Sequence, residues 1–240
     1  IDWKCEVETL FREENLGCKY APVAAITWFF ENEEMGIILE DDCLPSQSFF
    51  WFCEELLEKY KENMRVGQIS GDNFQKGIKR GVADYYFSIY GHIWGWASWA
   101  NRWQNHDVDL NSFNDTKFIE EIFDKKSSKR FWMEIFKNMK AGGVDAWDYQ
   151  WVFALWKAKQ LTVLPNMNLI ENIGFGVGAT HTTEESELAN LTVCEMVLNK
   201  HPKNVERDIE ADEFTTKIMF SKKSFTERVV NKIRRLLNEM

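Results

Sequence analysis

Three consecutive carboxylates, Glu40-Asp41-Asp42, follow the apolar run Gly36-Ile37-Ile38-Leu39 and precede Pro45. Like charges at the end of a strand repel one another. They also lie where open α/β sheets place their ligands, beyond the carboxyl ends of the strands. A divalent cation would resolve the repulsion, because hard carboxylate oxygens suit Mg²⁺ or Mn²⁺. Mg²⁺ favours one or two carboxylates plus substrate phosphates over an all-protein cage. The same three residues could instead form a solvated acidic turn that caps the following helix, since acids are favoured near a helix N-terminus. Spacing alone leaves both open.

The elements around the triplet are legible from periodicity. Gly36–Leu39 suits a buried strand, and Val66–Ser70 and Tyr85–Tyr90 suit two more. Ala21–Phe30 reads as a buried helix with Pro22 in its first turn. Ser46–Met64 reads as an amphipathic helix, with Phe49, Phe50, Phe52, Cys53, Leu56, Leu57 and Tyr60 on its apolar face. The Gly- and Trp-dense residues 91–113 read as an irregular loop with a short helix. Lys117–Lys140 holds one or two surface helices, Asp148–Lys159 another, and Leu161–Leu164 a strand. Strands and helices alternate, which predicts an α/β layer fold.

Composition narrows the class. The 240-residue chain carries a net charge of -9, which argues against nucleic acid as a partner. Seven basic residues against two acidic ones give Lys217–Met240 +5 and leave -14 for the rest. Val229, Val230, Ile233, Leu236 and Leu237 recur at helical spacing in this segment. It reads as a basic amphipathic helix over 225–240, docked on the acidic body or touching anionic lipid as a peripheral membrane contact. Five Cys without a CxxC pair suggest free buried thiols in a reducing compartment, hence a cytoplasmic protein. Aromatic residues make up 15% of the chain, so they must either enlarge the core or line a site that stacks against rings.

Gly36–Phe50 resembles the metal and nucleotide-sugar motif of GT-A-fold glycosyltransferases. The pattern is closest to the Glu-Asp-Asp form of N-acetylglucosaminyltransferase I-like enzymes and related bacterial sugar transferases, where the triplet also leads into a helix with a Phe-Phe pair, here Phe49-Phe50. Other pieces occur in the matching order. Asn15–Lys19 resembles the donor-side loop, and Gly91–Trp99 the Gly-Trp loop that shapes the donor and acceptor pocket. Trp147–Trp151 resembles the segment that holds the catalytic carboxylate, and Gly174–His181 the closing loop.

The resemblance implies a metal-dependent, inverting transferase, acting with Mn²⁺ or Mg²⁺ on a nucleotide-sugar donor. A UDP-sugar is favoured, and the acceptor is a glycan or lipid-linked hydroxyl. By the same resemblance Asp42 binds the metal, with His181 as a second candidate. Glu40, Asp41, Lys19 and Trp96 serve the donor, and Trp94 and Trp147 the acceptor. Asp148 is the general base, with an N-cap role as its bland alternative and Asp145 as a rival base.

The resemblance also divides the chain into a GT-A domain over 1–183 and a helical extension over 184–240. Ile1–Phe11 is expected to be the second strand of the fold, so that the first βα unit is missing. A non-catalytic carbohydrate-binding or scaffolding module with a truncated transferase fold is the competing expectation.

Overall fold

The computed structural model describes residues 2–175 and 191–220. It is an α/β structure in which helices flank a mixed five-stranded sheet. The sheet runs in the order β1 (Met35–Ile38), β5 (Trp96–Trp99), β3 (Val66–Ser70), β6 (Leu161–Pro165), β4 (Tyr85–Ser88). β5 is antiparallel to both β1 and β3, and β3 is parallel to β6. β1, β3 and β6 therefore point the same way, and their carboxyl ends meet at one edge of the molecule. A short antiparallel ribbon, β2 (Cys43–Pro45) with β7 (Ile170–Asn172), lies beyond β1.

The alternation of β5 separates the two faces. Ala97 and Trp99 pack with Phe49, Phe52 and Leu56 of α2 (Gln47–Tyr60). Trp96 packs on the other face with α1 (Gly17–Asn32) and α6 (Asp148–Lys157), against Ile26, Trp151 and Leu155. Gly67 and Gly36 are small because helices press on them. A Cβ at Gly67 would lie 2.3 Å from Leu155, and one at Gly36 would lie 2.3 Å from Phe29. Beyond α6, Trp132 and Phe136 of α5 (Lys126–Lys140) and Phe118 of α4 (Lys117–Ile122) build a second aromatic core.

Several expectations are corrected. Residues 2–11 form no strand and are exposed, with Phe11 90% exposed. Their apolar side chains find no sheet edge. The 91–113 segment contains a central strand, β5, before the short helix α3 (Ala100–Trp103). Residues 191–220 are stitched onto the core. Asn199 and Lys200 donate their N–H groups to Asp84, and Asp208 N–H bonds Phe87 O. Buried Asp212 of α7 (Ile209–Met219) accepts from Ser88 and pairs with Arg207. The basic helix expected over 225–240 lies outside the described residues. Of the five free Cys only Cys43 and Cys53 are buried, and Cys5 is exposed.

Two helix starts are capped from far away in sequence. Glu195 accepts from Gln47 N–H (3.1 Å) and Ser48 N–H (2.9 Å) at the start of α2. Asp145 accepts from Cys18 N–H (3.1 Å) and Lys19 N–H (2.8 Å) at the start of α1. Each carboxylate satisfies donors that the helix itself leaves unpaired. At the other end of α2, the buried Arg102 guanidinium donates to the carbonyls of Tyr60, Lys61 and Asn63.

Among the described residues, no helix is long and apolar enough to cross a membrane.

Candidate active site at the strand ends

A tight turn follows β1. Cys43 N–H bonds Glu40 O (3.1 Å), and Ile173 N–H bonds Asp42 O (2.8 Å). The turn feeds the β2–β7 ribbon, which holds the triplet at the carboxyl end of β1. Asp41 is exposed, while Glu40 and Asp42 are half-buried. The triplet does not cap α2, because Glu195 occupies that position. Asp42 accepts a hydrogen bond from the Cys43 thiol on Oδ1 (3.4 Å). Its Oδ2 faces Gly174, where a Cβ would come within 2.1 Å. A side chain at position 174 would fill the space this carboxylate oxygen now occupies.

Asp148 sits in the first turn of α6, half-buried. Glu40 joins the two acidic segments. Burial pushes its carboxyl up to about 7, the charges of Asp42, Asp148 and Asp41 push the same way, and a side-chain hydrogen bond from Trp147 opposes them. The end of β1 and the start of α6 are thus brought into one electrostatic site. The Asp145 carboxylate is committed to the α1 amides, and a Cβ at Gly17, which has a φ of +72°, would lie 2.8 Å from its Oδ2. This accounts for Asp145 as a cap and for Gly17 as the residue that tolerates both the backbone and the approach.

The aromatic residues divide differently from the expectation. Trp96 and Trp147 are 0% and 5% exposed. With Trp103 and Trp151 they form a stack in which Trp96 lies 5.8 Å from Trp147 and 5.9 Å from Trp151. Neither offers a ring face to a sugar, which corrects their assignment to donor and acceptor. Trp147 serves the site through its hydrogen bond to Glu40. Trp94 is half-buried and stands edge-on to Phe74 (5.1 Å) and Phe175 (5.5 Å). Lys19, expected at the donor, instead donates to Asp109 (2.7 Å) and to the Tyr20 hydroxyl (3.2 Å). His181 lies outside the described residues. His92 is buried and His106 half-buried, and burial holds both neutral, at about 3 and about 4.

Ser70-Gly71-Asp72-Asn73, which closes β3, reads from sequence either as a donor-binding element or as a turn near the pocket. Asp72 follows β3 and is completely buried. Burial pushes its carboxyl up to about 8, although Trp94 N–H (3.3 Å) and Ser70 favour the ionised form. Its other oxygen, Oδ1, has no hydrogen-bond partner among the described residues. Its charge also reaches the Cys43 thiol, which burial and Asp42 already hold protonated.

The donor set at the triplet is all hard oxygen, which suits Mg²⁺ or Mn²⁺. Among the described residues, no three His, Cys, Asp or Glu side chains form a ready-made metal cage. A cavity of about 720 Å³ opens elsewhere, beside α5 and α7, lined by Arg130, Phe131, Glu134, Arg207 and Phe220. None of the carboxylates described above lines it.

Glu40 links this geometry to stability. A carboxyl raised by folding holds its proton more tightly in the folded chain than in the unfolded one. Its stabilising contribution is present at low pH and is lost as pH rises from the ordinary carboxylate range through about 7. Without divalent cation, urea denaturation should show a smaller drop in stability between pH 5 and pH 8 for Glu40→Gln than for the wild type. An unchanged drop would remove Glu40 from the charge cluster.

Searches against protein-family models and against curated proteins return no match for this chain.

Proposed function

We propose that the protein is a metal-dependent, inverting glycosyltransferase of the GT-A type. It moves a sugar from a nucleoside diphosphate, with UDP favoured, to a hydroxyl of a glycan or lipid-linked acceptor. The observation that carries this reading is the convergence on Glu40 of charge from Asp42 at the end of β1 and from Asp148 at the start of α6. One carboxylate segment can hold a cation and the other can accept a proton, which are the two tasks of the reaction.

Asp42 is the residue that would hold the ion, through the oxygen that Gly174 leaves room for. Mn²⁺ or Mg²⁺, when bound, supplies Lewis-acid neutralisation of the departing diphosphate. Asp41 lies at the exposed edge, where it can meet the ribose or the donor sugar. Glu40 is anchored by Trp147 and braces the turn. The Asp148 carboxylate takes the proton of the acceptor hydroxyl as that oxygen attacks the anomeric carbon. Trp94, half-exposed next to Phe74, borders the sugar.

The test is calorimetric titration of the protein with UDP, with and without Mn²⁺. The expected result is saturable binding that Mn²⁺ strengthens by at least about tenfold, as a shared metal–phosphate site requires. Absence of UDP binding in both conditions overturns the reading.

A further inference from the structure

Asp72 is a costly residue that the proposed chemistry does not yet use. Its carboxyl group is wholly enclosed at the carboxyl end of β3, and Oδ1 has no hydrogen-bond partner among the described residues. Enclosing an unpaired carboxylate oxygen is strongly unfavourable unless something meets it. The local structure does not require this charge. The 91–95 loop is already strapped to β3 by Gly71 N–H to Gly95 O (2.8 Å), by Ser70 Oγ to His92 O (3.1 Å) and by Gln68 Nε2 to His92 O (2.5 Å). The fourth strap, from Trp94 N–H to Asp72 Oδ2 (3.3 Å), would be served equally by the neutral oxygen of an Asn. One oxygen therefore positions Trp94, and the other is surplus to the fold.

We infer that Asp72 Oδ1 is the acceptor for a hydroxyl of the donor sugar and fixes which sugar the site selects. The inference rests on the transferase reading above. Leu169 N–H bonds Gly71 O (2.9 Å), which ties the backbone before Asp72 to the β2–β7 ribbon, and Cys43 of that ribbon is bonded to Asp42. The sugar joined to a diphosphate held at Asp42 is the polyol nearest to this oxygen. Trp94 carries a half-exposed ring and is bonded through its amide to Asp72. A hydroxyl that reaches an enclosed acceptor is read stringently, because a sugar without that hydroxyl leaves a buried polar atom unpaired.

The experiment compares wild type with Asp72→Asn, titrating UDP, UDP-glucose, UDP-galactose and UDP-N-acetylglucosamine in Mn²⁺. Asn keeps the oxygen that holds Trp94 and places an N–H₂ donor where the free acceptor was. The expected result is UDP affinity within about twofold of wild type. The extra affinity that the best sugar confers over UDP should fall about 10–100-fold, the cost of leaving buried polar groups unpaired. The melting temperature should rise by about 2–6 °C, because folding no longer has to bury a charge or take up a proton at this position. A sugar increment unchanged in Asp72→Asn overturns the inference while the transferase reading stands. A lower melting temperature with loss of all binding assigns Asp72 a purely structural role and also overturns it. No UDP binding by the wild type overturns both.

Discussion

Asp148→Asn is expected to lower turnover by about 10²–10⁴-fold, the usual contribution of a positioned general base. UDP binding in Mn²⁺ should stay within about twofold of wild type. Three acids near the site compete for the role, and their surroundings separate them. Asp145 has both oxygens committed to the amides of Cys18 and Lys19 at the start of α1. Glu40 is pushed up to about 7 by burial and by its acidic neighbours, and it takes a hydrogen bond from Trp147. That hydrogen bond holds it in place. Asp148 is half-buried in the first turn of α6, where the helix dipole favours the ionised form that a base needs. The measurement is UDP release from a UDP-sugar, with water as the default hydroxyl when no better acceptor is present. Retained turnover in Asp148→Asn would shift the base to Glu40, and Glu40→Gln would then carry the loss. Asp145→Asn gives a further contrast. It weakens a cap worth about 1 kcal/mol, so it should lower stability more than it lowers the rate.

The parts of the fold that follow from short-range patterning were legible in the sequence. β3 lies where its apolar run is, α6 begins at Asp148, and the triplet ends β1 as its charge pattern implies. The central strand β5 was not legible. Trp96-Ala97-Ser98-Trp99 is only four residues long and follows a Gly-rich loop, so its pairing with β1 and β3 is decided by tertiary contact. The remote caps were also hidden. Asp145 and Glu195 bond to amides more than a hundred residues away, and no local pattern marks such a pair. The Trp residues mislead for a related reason. Sequence shows an excess of flat rings but not which way they face, and burial takes Trp96 and Trp147 into a core stack while Trp94 stays half-exposed. Asp72 looked like a turn residue because burial, the property that makes it unusual, is a three-dimensional fact.

Asp42→Ala is expected to abolish the gain in UDP affinity that Mn²⁺ provides. Loss of a partner that only orients a metal ligand typically costs 10–100-fold in metal affinity, so loss of the ligand itself should cost at least about 100-fold. UDP binding without metal should change little, because Asp42 then adds only repulsion to the diphosphate. Charge alone does not explain the arrangement around this residue. The Cys43 thiol holds Oδ1, and Oδ2 points to the space beside Gly174. Gly174→Ala keeps the carboxylate but places a Cβ on a site 2.1 Å from Oδ2, well inside contact distance. The oxygen must move, and the ion should lose about tenfold in affinity although no charge has been removed. A diffuse acidic turn would respond to Asp42→Ala in proportion to one lost charge and would ignore Gly174→Ala. A metal position built from one fixed oxygen responds to both. If calorimetry shows Mn²⁺-dependent UDP binding intact in both variants, the triplet is a solvated acidic turn and the ion must be held elsewhere.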